Sequence, residues 1–328
     1  MAIGSGIGAS LGAKPEATYG TGVTVDAWVP GEGFKIIPTI DKTPVWGIAA
    51  GRLGPGIDEV ITGRSGTGSW SGQWPSVKMG RYLQNLMGST PTPAQQAATA
   101  AYLHAFTLTD NFGKSLTCQE GLPLTSGTGV PYTGSGGKLM SLELSSDNVN
   151  GVLKGAMEFW FQNVVDSVGL AAPSYTDYTV LNRLVVKLGT FNSEAAITGV
   201  RAASVKLERE MDTERPGLPG AYPEPIMTGQ GFKVTGTIAP DFVAKADFAD
   251  RFLAGTSTAL VLEWTNDTAI ASTYYPMVRV RCPKVFFRDA VPGVDGPEVI
   301  KGSVAFEAFL DTTNGLALLD IMSTDTTL

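Results

Sequence analysis

The sequence predicts a mainly β fold with a few helices, built as two similar halves. Three observations predict it. The 328 residues include 40 Gly and 20 Pro, scattered in short clusters with no fixed triplet, as is typical of many turns between short strands. Hydrophobic residues make up 43% of the chain, which is enough for one large core or two ordinary ones. Strand-like segments also recur in the same order in both halves.

The clearest repeat is a pair of strand-like segments, residues 152–159 and 299–306. In both segments apolar residues alternate with polar or small ones, so that the apolar residues share one face of a strand. These apolar residues are Leu153, Met157 and Phe159 in the first segment and Ile300, Val304 and Phe306 in the second. Each segment is predicted to be a half-buried strand.

Features upstream of these strands repeat in the same order. Residues 67–70 correspond to residues 235–238, and each is followed by an amphipathic helical stretch that ends at Gly88 or Gly255. The predicted apolar stripes are Met79, Tyr82, Leu83, Leu86 and Met87 in the first helix and Phe242, Ala246, Ala249 and Leu253 in the second.

After each helix we expect a further strand, at residues 104–108 and 259–264, and then alternating strands at 140–144 and 278–282. The first copy is longer than the second, and its extra residues are expected in loops at 91–101 and 121–137. The predicted organisation is an N-terminal extended arm, a first domain, a linker and a second domain, at residues 1–42, 43–165, 166–177 and 178–328.

Charge and terminal composition argue against several classes of protein. The formal net charge is -7, so the basic surface that grips nucleic acid by its phosphates is not expected. The start of the chain lacks a secretory signal and no long apolar run occurs, so we expect synthesis in cytoplasm and no membrane partner. Cys118 and Cys282 are far apart and are predicted to be buried hydrophobic residues rather than a disulfide scaffold.

The sequence offers few groups for catalysis or cofactor binding. His104 is the single histidine, so a catalytic triad or a zinc site of ordinary ligands is not expected. Residues 4–9 match a dinucleotide-binding pattern but lack the strand that must precede it. Glu208 and Glu210 suggest a glycosidase pair less well than a solvated loop. We therefore predict no catalytic residue, no metal and no cofactor.

Several segments together resemble a known family. They are the opening Leu-Gly-Ala-Lys-Pro-Glu-Ala-Thr-Tyr-Gly-Thr at residues 11–21, then residues 104–107, 115–117 and 283–285, and finally residues 304–311. In this order the chain resembles the major tail tube protein of long-tailed (siphovirus) bacteriophages. The resemblance implies two tandem β-sandwich or β-barrel domains, each with a flanking helix, whose inner sheets close a barrel around a ring. The duplicated subgroup builds a pseudo-sixfold ring from three chains rather than six.

The resemblance also implies a function and partners. The chain would be a structural virion protein, located in the phage tail, that forms stacked rings through which DNA is delivered. Its partners would be itself, a tape-measure protein, the tail terminator and distal tail proteins, and DNA in transit without specific binding. The alternatives are a capsid decoration or tail-fibre protein, or a carbohydrate-binding or carbohydrate-active module.

A charged, proline-rich segment at residues 208–225 is predicted to be the loop that joins one ring to the next. Strand-like residues flank it, so it is expected to protrude from a hairpin, with a shorter counterpart at residues 51–65. Its predicted contact residues are Glu208, Arg209, Glu210, Met211, Asp212, Glu214, Arg215, Leu218 and Tyr222.

Overall fold

The computed structural model describes residues 6–45, 58–124, 129–147, 151–213, 224–241, 244–291 and 302–328. Within these residues the chain is mainly β, with two short α-helices and eighteen strands joined in antiparallel pairs. The predicted fold class is therefore confirmed in its coarse form. No helix in the described ranges is long and apolar enough to cross a membrane.

The two halves contain ten and eight strands among the described residues. The first half contains a 3₁₀ turn at Gly6–Gly8, helix α1 at Gly80–Met87 and strands β1 Ser10–Pro15, β2 Ala27–Val29, β3 Gly33–Val45, β4 Asp58–Gln73, β5 Ala94–Gln95, β6 Tyr102–Thr107, β7 Leu116–Pro123, β8 Gly129–Ser146, β9 Lys154–Phe161 and β10 Asn163–Val165. The second contains helix α2 at Ala249–Ala254 and strands β11 Arg183–Thr190, β12 Ser193–Ala196, β13 Val200–Asp212, β14 Ile226–Pro240, β15 Thr258–Thr265, β16 Met277–Arg288, β17 Val304–Ala308 and β18 Leu318–Ser323.

Eight strands form what we call the central sheet. Their order is β3–β4–β9–β8 in the first half and β13–β14–β17–β16 in the second, and β8 pairs with β13. The two groups of four have the same connectivity. The internal repeat predicted from the sequence is therefore a repeat of strand pairing.

A second group of strands repeats as well. In the first half the pairing order is β2–β1–β7–β8–β10, and in the second it is β12–β11–β15–β16–β18. The long strands β8 and β16 belong to both groups, since one part of each strand pairs in the central sheet and the other part in the second group. Strands β1 and β2, within the segment predicted as an arm, thus take the places of β11 and β12. Strand β3 also crosses the predicted boundary after residue 42.

One predicted correspondence is wrong. The sequence matched residues 104–108 with 259–264, yet β15 pairs with β11 and β16 as β7 pairs with β1 and β8. Strands β5 and β6 are therefore the insertion in the first half. Strand β6 pairs with β18, which adds a second connection between the halves.

The predicted loop at residues 121–137 is also wrong in large part, because β7 runs to Pro123 and β8 begins at Gly129. The glycines there have a packing role. A Cβ atom on Gly134 would lie 2.5 Å from the ring of Phe161, and one on Gly137 would lie 2.8 Å from it. Small residues therefore let the buried Phe161 ring approach the strand. Composition alone predicts a loop for the same segment.

The two helices end where the sequence predicts. Gly88 and Gly255 adopt left-handed conformations, with φ of 80° and 61°, as glycine does after a helix. The stripe of α1 is buried as predicted, and Tyr82 packs edge-on against Phe159 of the central sheet at 5.9 Å between ring centroids. The stripe of α2 is wrong in part, because Ala246 and Leu253 are exposed and Phe242 lies outside the described residues.

The central sheet does not close into a barrel within one chain. Residues 166–179, which include the predicted linker at 166–177, connect the halves without helix or strand. The chain end folds back on the first half, where Asp325 forms an ion pair with Lys78 and its carbonyl oxygen lies 3.0 Å from Nε2 of the buried His104. His104 is thus packed at the connection between β6 and the chain end, and burial lowers its pKa.

The predicted arm is fastened by a buried carboxylate, Glu16. Its oxygens accept hydrogen bonds from the hydroxyls of Ser115 and Thr117 at 2.5 and 2.8 Å, and from the backbone N–H groups of Gly20 and Gly136 at 2.9 Å each. Four donors around one buried carboxylate fix the segment after β1 to β7 and β8. This contact accounts for part of the opening motif quoted above.

We predict that Glu16→Ala lowers the free energy of unfolding by about 2–4 kcal/mol, because four donors lose their acceptor inside the protein. Urea unfolding of the subunit measures this difference. The control is Glu32→Ala, which removes an exposed carboxylate and should change stability by about 0.5 kcal/mol or less. Equal losses in both variants would contradict the role of Glu16.

Candidate functional site

The central sheet has one buried and one open face. Side chains on the buried face belong to the hydrophobic core, and include Trp70, Met157, Leu142, Val205, Val234 and Phe306. Side chains on the other face alternate with them and are mostly polar and at least partly exposed. We call this polar surface the open face.

Residues on the open face form rows that run across the strands. One row begins in β3, crosses the junction of the two halves and ends in β14, and consists of Lys35, Ser69, Glu158, Ser141, Glu208 and Lys233. The next row consists of Gly33, Ser71, Ala156, Glu143, Lys206, Thr235, Glu307 and Phe286. A third consists of Gln73, Lys154, Ser145, Ser204, Thr237, Ala305 and Arg288.

Charges on the three rows nearly cancel. The basic residues are Lys35, Lys154, Lys206, Lys233 and Arg288, and the acidic ones are Glu143, Glu158, Glu208 and Glu307. Lys206 lies 2.5 Å from Glu208 and Arg288 lies 3.3 Å from Glu307. Hydrogen bonding to Glu208 raises the pKa of Lys206, so Lys206 stays charged at neutral pH. A phosphate would have to compete with these carboxylates for the basic groups.

The junction of the two halves lies at β8 and β13. The register runs from Ala203 opposite Ser146 to Glu208 opposite Ser141. Strand β13 therefore has neighbours on both sides, β8 and β14. The open face continues across this junction without interruption.

The outer ends of the central sheet lack such neighbours. Strand β3, the counterpart of β13, pairs with β4 over its whole length and with no second strand among the described residues. At the other end, Phe286, Phe287 and Arg288 of β16 pair with β17 and with no other strand in the described part of the chain. On β3 the N–H of Ile36 already donates a hydrogen bond to Oε2 of Glu120 at 2.7 Å. Unpaired backbone groups elsewhere on a long edge strand can pair with another chain.

The predicted stacking residues are divided between strand and loop. Strand β13 extends to Asp212 and β14 begins at Ile226, so residues 208–212 of the predicted loop belong to β13. Glu208 lies on the open face, Glu210 is exposed and Asp212 is half-buried. The remaining predicted contact residues, Glu214, Arg215, Leu218 and Tyr222, lie outside the described residues.

Arg209 and Met211 are buried within the chain, so the prediction that they contact another ring needs correction. Arg209 donates hydrogen bonds to the carbonyl oxygens of Leu86 and Thr109 at 2.8 and 2.9 Å and lies over the ring of Phe232. Burial lowers its pKa to about 10. A mixed-charge run looked solvated in the sequence, but period-two alternation places Arg209 on the buried face.

The sequence does not predict a buried ion pair at the end of the segment that connects β13 to β14. Lys138 is fully buried and pairs with Glu224, while donating hydrogen bonds to the carbonyl oxygens of Asn111 and Lys114 at 2.7 Å each. Glu224 also accepts a hydrogen bond from the N–H of Gly113 at 2.6 Å. No sequence motif signals a pair so far apart in the chain. It fixes the loop end of the second hairpin to the first half.

The described residues hold no group of three or more His, Cys, Asp or Glu side chains able to bind a metal ion. Cys118 and Cys282 are buried thiols, as predicted, and burial raises the pKa of each above its usual value. The organised surface is therefore the central sheet, with a polar open face and two unpaired ends.

Comparison with known proteins gives this architecture a family. The family model described as phage tail tube protein matches residues 6–308. A comparison with curated protein sequences found no match. Because the family match covers nearly the whole chain, this chain belongs to the phage tail tube protein family and is a structural, non-enzymatic component of the phage tail.

Proposed function

We propose that three copies of this chain form one ring of the tail tube, in which each half of the chain acts as one tube domain. Tail tube proteins polymerise into a tube. The observation that supports a trimer is the pairing of β8 with β13, which joins the two halves edge to edge within one chain. The same junction, repeated between chains, would connect the end of β16 in one copy to β3 in the next.

The register of the internal junction suggests the register between chains. Glu158 and Ala305 occupy corresponding positions of the repeat, and they pair with Ser141 and Arg288. Ser141 faces Glu208 across the internal junction, and Thr39 is the counterpart of Glu208 in β3. Residues from Arg288 onward would therefore pair with the outer edge of β3, beginning near Thr39.

Barrel size favours three chains. A barrel of eight strands, the number in one chain's central sheet, has an interior that side chains fill. With strands about 4.8 Å apart and tilted by about 40°, three such sheets close at a backbone diameter of about 40–50 Å, and six at about twice that. Three chains thus leave a channel for duplex DNA without the wide empty bore of six. A head-to-tail interface of this kind closes into a ring when its rotation permits.

In this arrangement the open face lines the channel. Near-balanced charge, with Lys206 and Arg288 each close to a carboxylate, limits the number of basic groups free to hold phosphates. DNA would therefore pass without specific binding, because each added phosphate contact increases affinity and its dependence on salt.

The long hairpins would connect one ring to the next. We retain residues 208–225 as the stacking segment of the second half, with its contacts limited to exposed residues and to the loop between the strands. Corresponding residues of β3–β4 form a hairpin of similar length rather than the shorter counterpart that the sequence predicted. The other proposed partners are a tape-measure protein in the channel and terminator and distal proteins at the tube ends, as in siphovirus tails.

We predict that the assembled ring contains three chains. Purified protein is imaged by electron microscopy, and mass photometry measures the mass of single rings. Rings with three copies and sixfold pseudosymmetry are expected, because each chain supplies two equivalent four-stranded sheets. Six copies per ring would show that only one half of each chain lines the channel.

We predict that replacing acids on the open face makes the ring retain DNA. The double variant Glu143→Lys and Glu158→Lys gives the open face an excess of positive charge, so rings should bind duplex DNA with an affinity that falls steeply with salt. Wild-type rings should not bind it at physiological salt. The control, Glu194→Lys with Asp267→Lys, changes the net charge equally outside the central sheet. Equal DNA binding by the two double variants would contradict a channel-facing open face.

We predict that shortening the second hairpin prevents growth of tubes but not of rings. Residues 214–222 are replaced by a short Gly/Ser turn, and Glu224 is kept because its loss would leave Lys138 buried without its carboxylate. The variant should form rings that no longer stack into long tubes, as judged by electron microscopy. A matched variant carrying a Gly/Ser segment of the original length distinguishes loop sequence from loop length. Tubes of normal length from the shortened variant would refute the stacking role.

A further inference from the structure

Corresponding positions in the two long hairpins differ in exposure. Ile36 lies opposite Gly68, and Val205 lies opposite the corresponding Gly236, so Ile40 is the counterpart of Arg209. Both point to the core side of their strand. Arg209 is 1% exposed, whereas Ile40 is 43% exposed.

The cover over Arg209 comes from the other half of the chain. Its guanidinium donates to the carbonyl oxygen of Leu86 in the last turn of α1, and to that of Thr109 beyond the β5–β6 insertion. Helix α1 belongs to the first half and β13 to the second. The second hairpin therefore contacts the end of α1 at the same junction where β8 pairs with β13.

The corresponding helix end in the second half is uncovered. Leu86 and Leu253 each lie two residues before the glycine that ends their helix. Leu86 is fully buried, whereas Leu253 is 64% exposed. The second half also lacks the β5–β6 insertion, which helps to cover α1 in the first half through the pairing of Gly88 with Leu108.

We propose that Ile40 of one copy docks against Leu253 of the neighbouring copy. This inference rests on the proposed ring, because only a junction like β8–β13 between chains brings the first hairpin of one copy to α2 of the next. The residue that covers Leu253 comes from a second copy of this chain, because the internal contact between Arg209 and the end of α1 shows how a hairpin lies against a helix end. Two exposed apolar side chains meet there in place of an arginine and carbonyl oxygens.

The chemistry of positions 40 and 209 agrees with this replacement of a polar contact by an apolar one. Arg209 needs two carbonyl acceptors, and one of them, Thr109, lies just beyond the insertion that the second half lacks. An apolar residue at position 40 leaves no buried donor unsatisfied when that acceptor is missing. The pair Arg209 and Phe232 also has its counterpart in Ile40 and Arg64, which lie opposite each other, so the apolar and basic residues have exchanged strands.

The test compares the assembly of matched variants. Ile40→Asp and Leu253→Asp should each remain folded monomers, with an unchanged circular dichroism spectrum, and should raise the concentration needed for rings at least tenfold. Ile40→Leu is the control for position 40, because it keeps an apolar side chain of the same size there. Leu253→Ile is the control for position 253, because it keeps an apolar side chain. Both controls should assemble as the wild type does.

A charge pair tests contact rather than general disruption. A chain carrying both Ile40→Lys and Leu253→Asp should regain ring formation, whereas each change alone should reduce it. Rings of normal yield from both Asp variants, or no recovery in the double variant, would overturn the docking. If the wild type itself forms no three-chain rings, the proposed function fails instead, so the two failures are distinguishable.

Discussion

Backbone hydrogen bonding at the ends of the central sheet is the constraint on which the rest of the structure depends. An antiparallel sheet satisfies its interior strands but leaves a row of N–H and C=O groups along each edge. Between the halves, β8 forms these backbone hydrogen bonds with the edge of β13. The junction of the two halves therefore lies within one chain, while β3 and the end of β16 remain at the outside. The two ends differ from each other and suit head-to-tail assembly.

Small residues allow this sheet to pack as closely as it does. A Cβ atom on Gly68 would lie 2.6 Å from the ring of Phe161, and one on Gly236 would lie 2.5 Å from that of Phe306. These glycines occupy the same position in the two hairpins, which is why the Thr-Gly dipeptide was visible as a repeat. Side chains at these points would push the aromatic rings out of the core.

The sequence predicts what depends on local alternation and misses what depends on distant partners. Period-two patterns identify β9 and β17, and Gly88 and Gly255 correctly predict where the helices end. The insertion was assigned incorrectly, because residues 104–108 look like residues 259–264 and only strand pairing tells them apart. Lys138 and Glu224 lie too far apart in the chain for any motif to join them. The charge of Arg209 predicts an exposed side chain, but its position in the alternation of β13 places it on the buried face.

The internal junction and the proposed junction between chains differ in chemistry, and the difference would suit assembly. Between the halves, Arg209 and the Lys138–Glu224 pair are buried, and β6 adds a second connection through β18. Buried charges stabilise only when geometry is accurate, and losing one partner is costly, so they belong where the chain holds both partners together. The proposed junction between chains would have neither the insertion nor an ion pair at that position, since Phe286 stands where Lys138 does in β8. Apolar contacts tolerate small changes of angle. In the proposed ring three such junctions would close together, and this tolerance would let the last one form without strain.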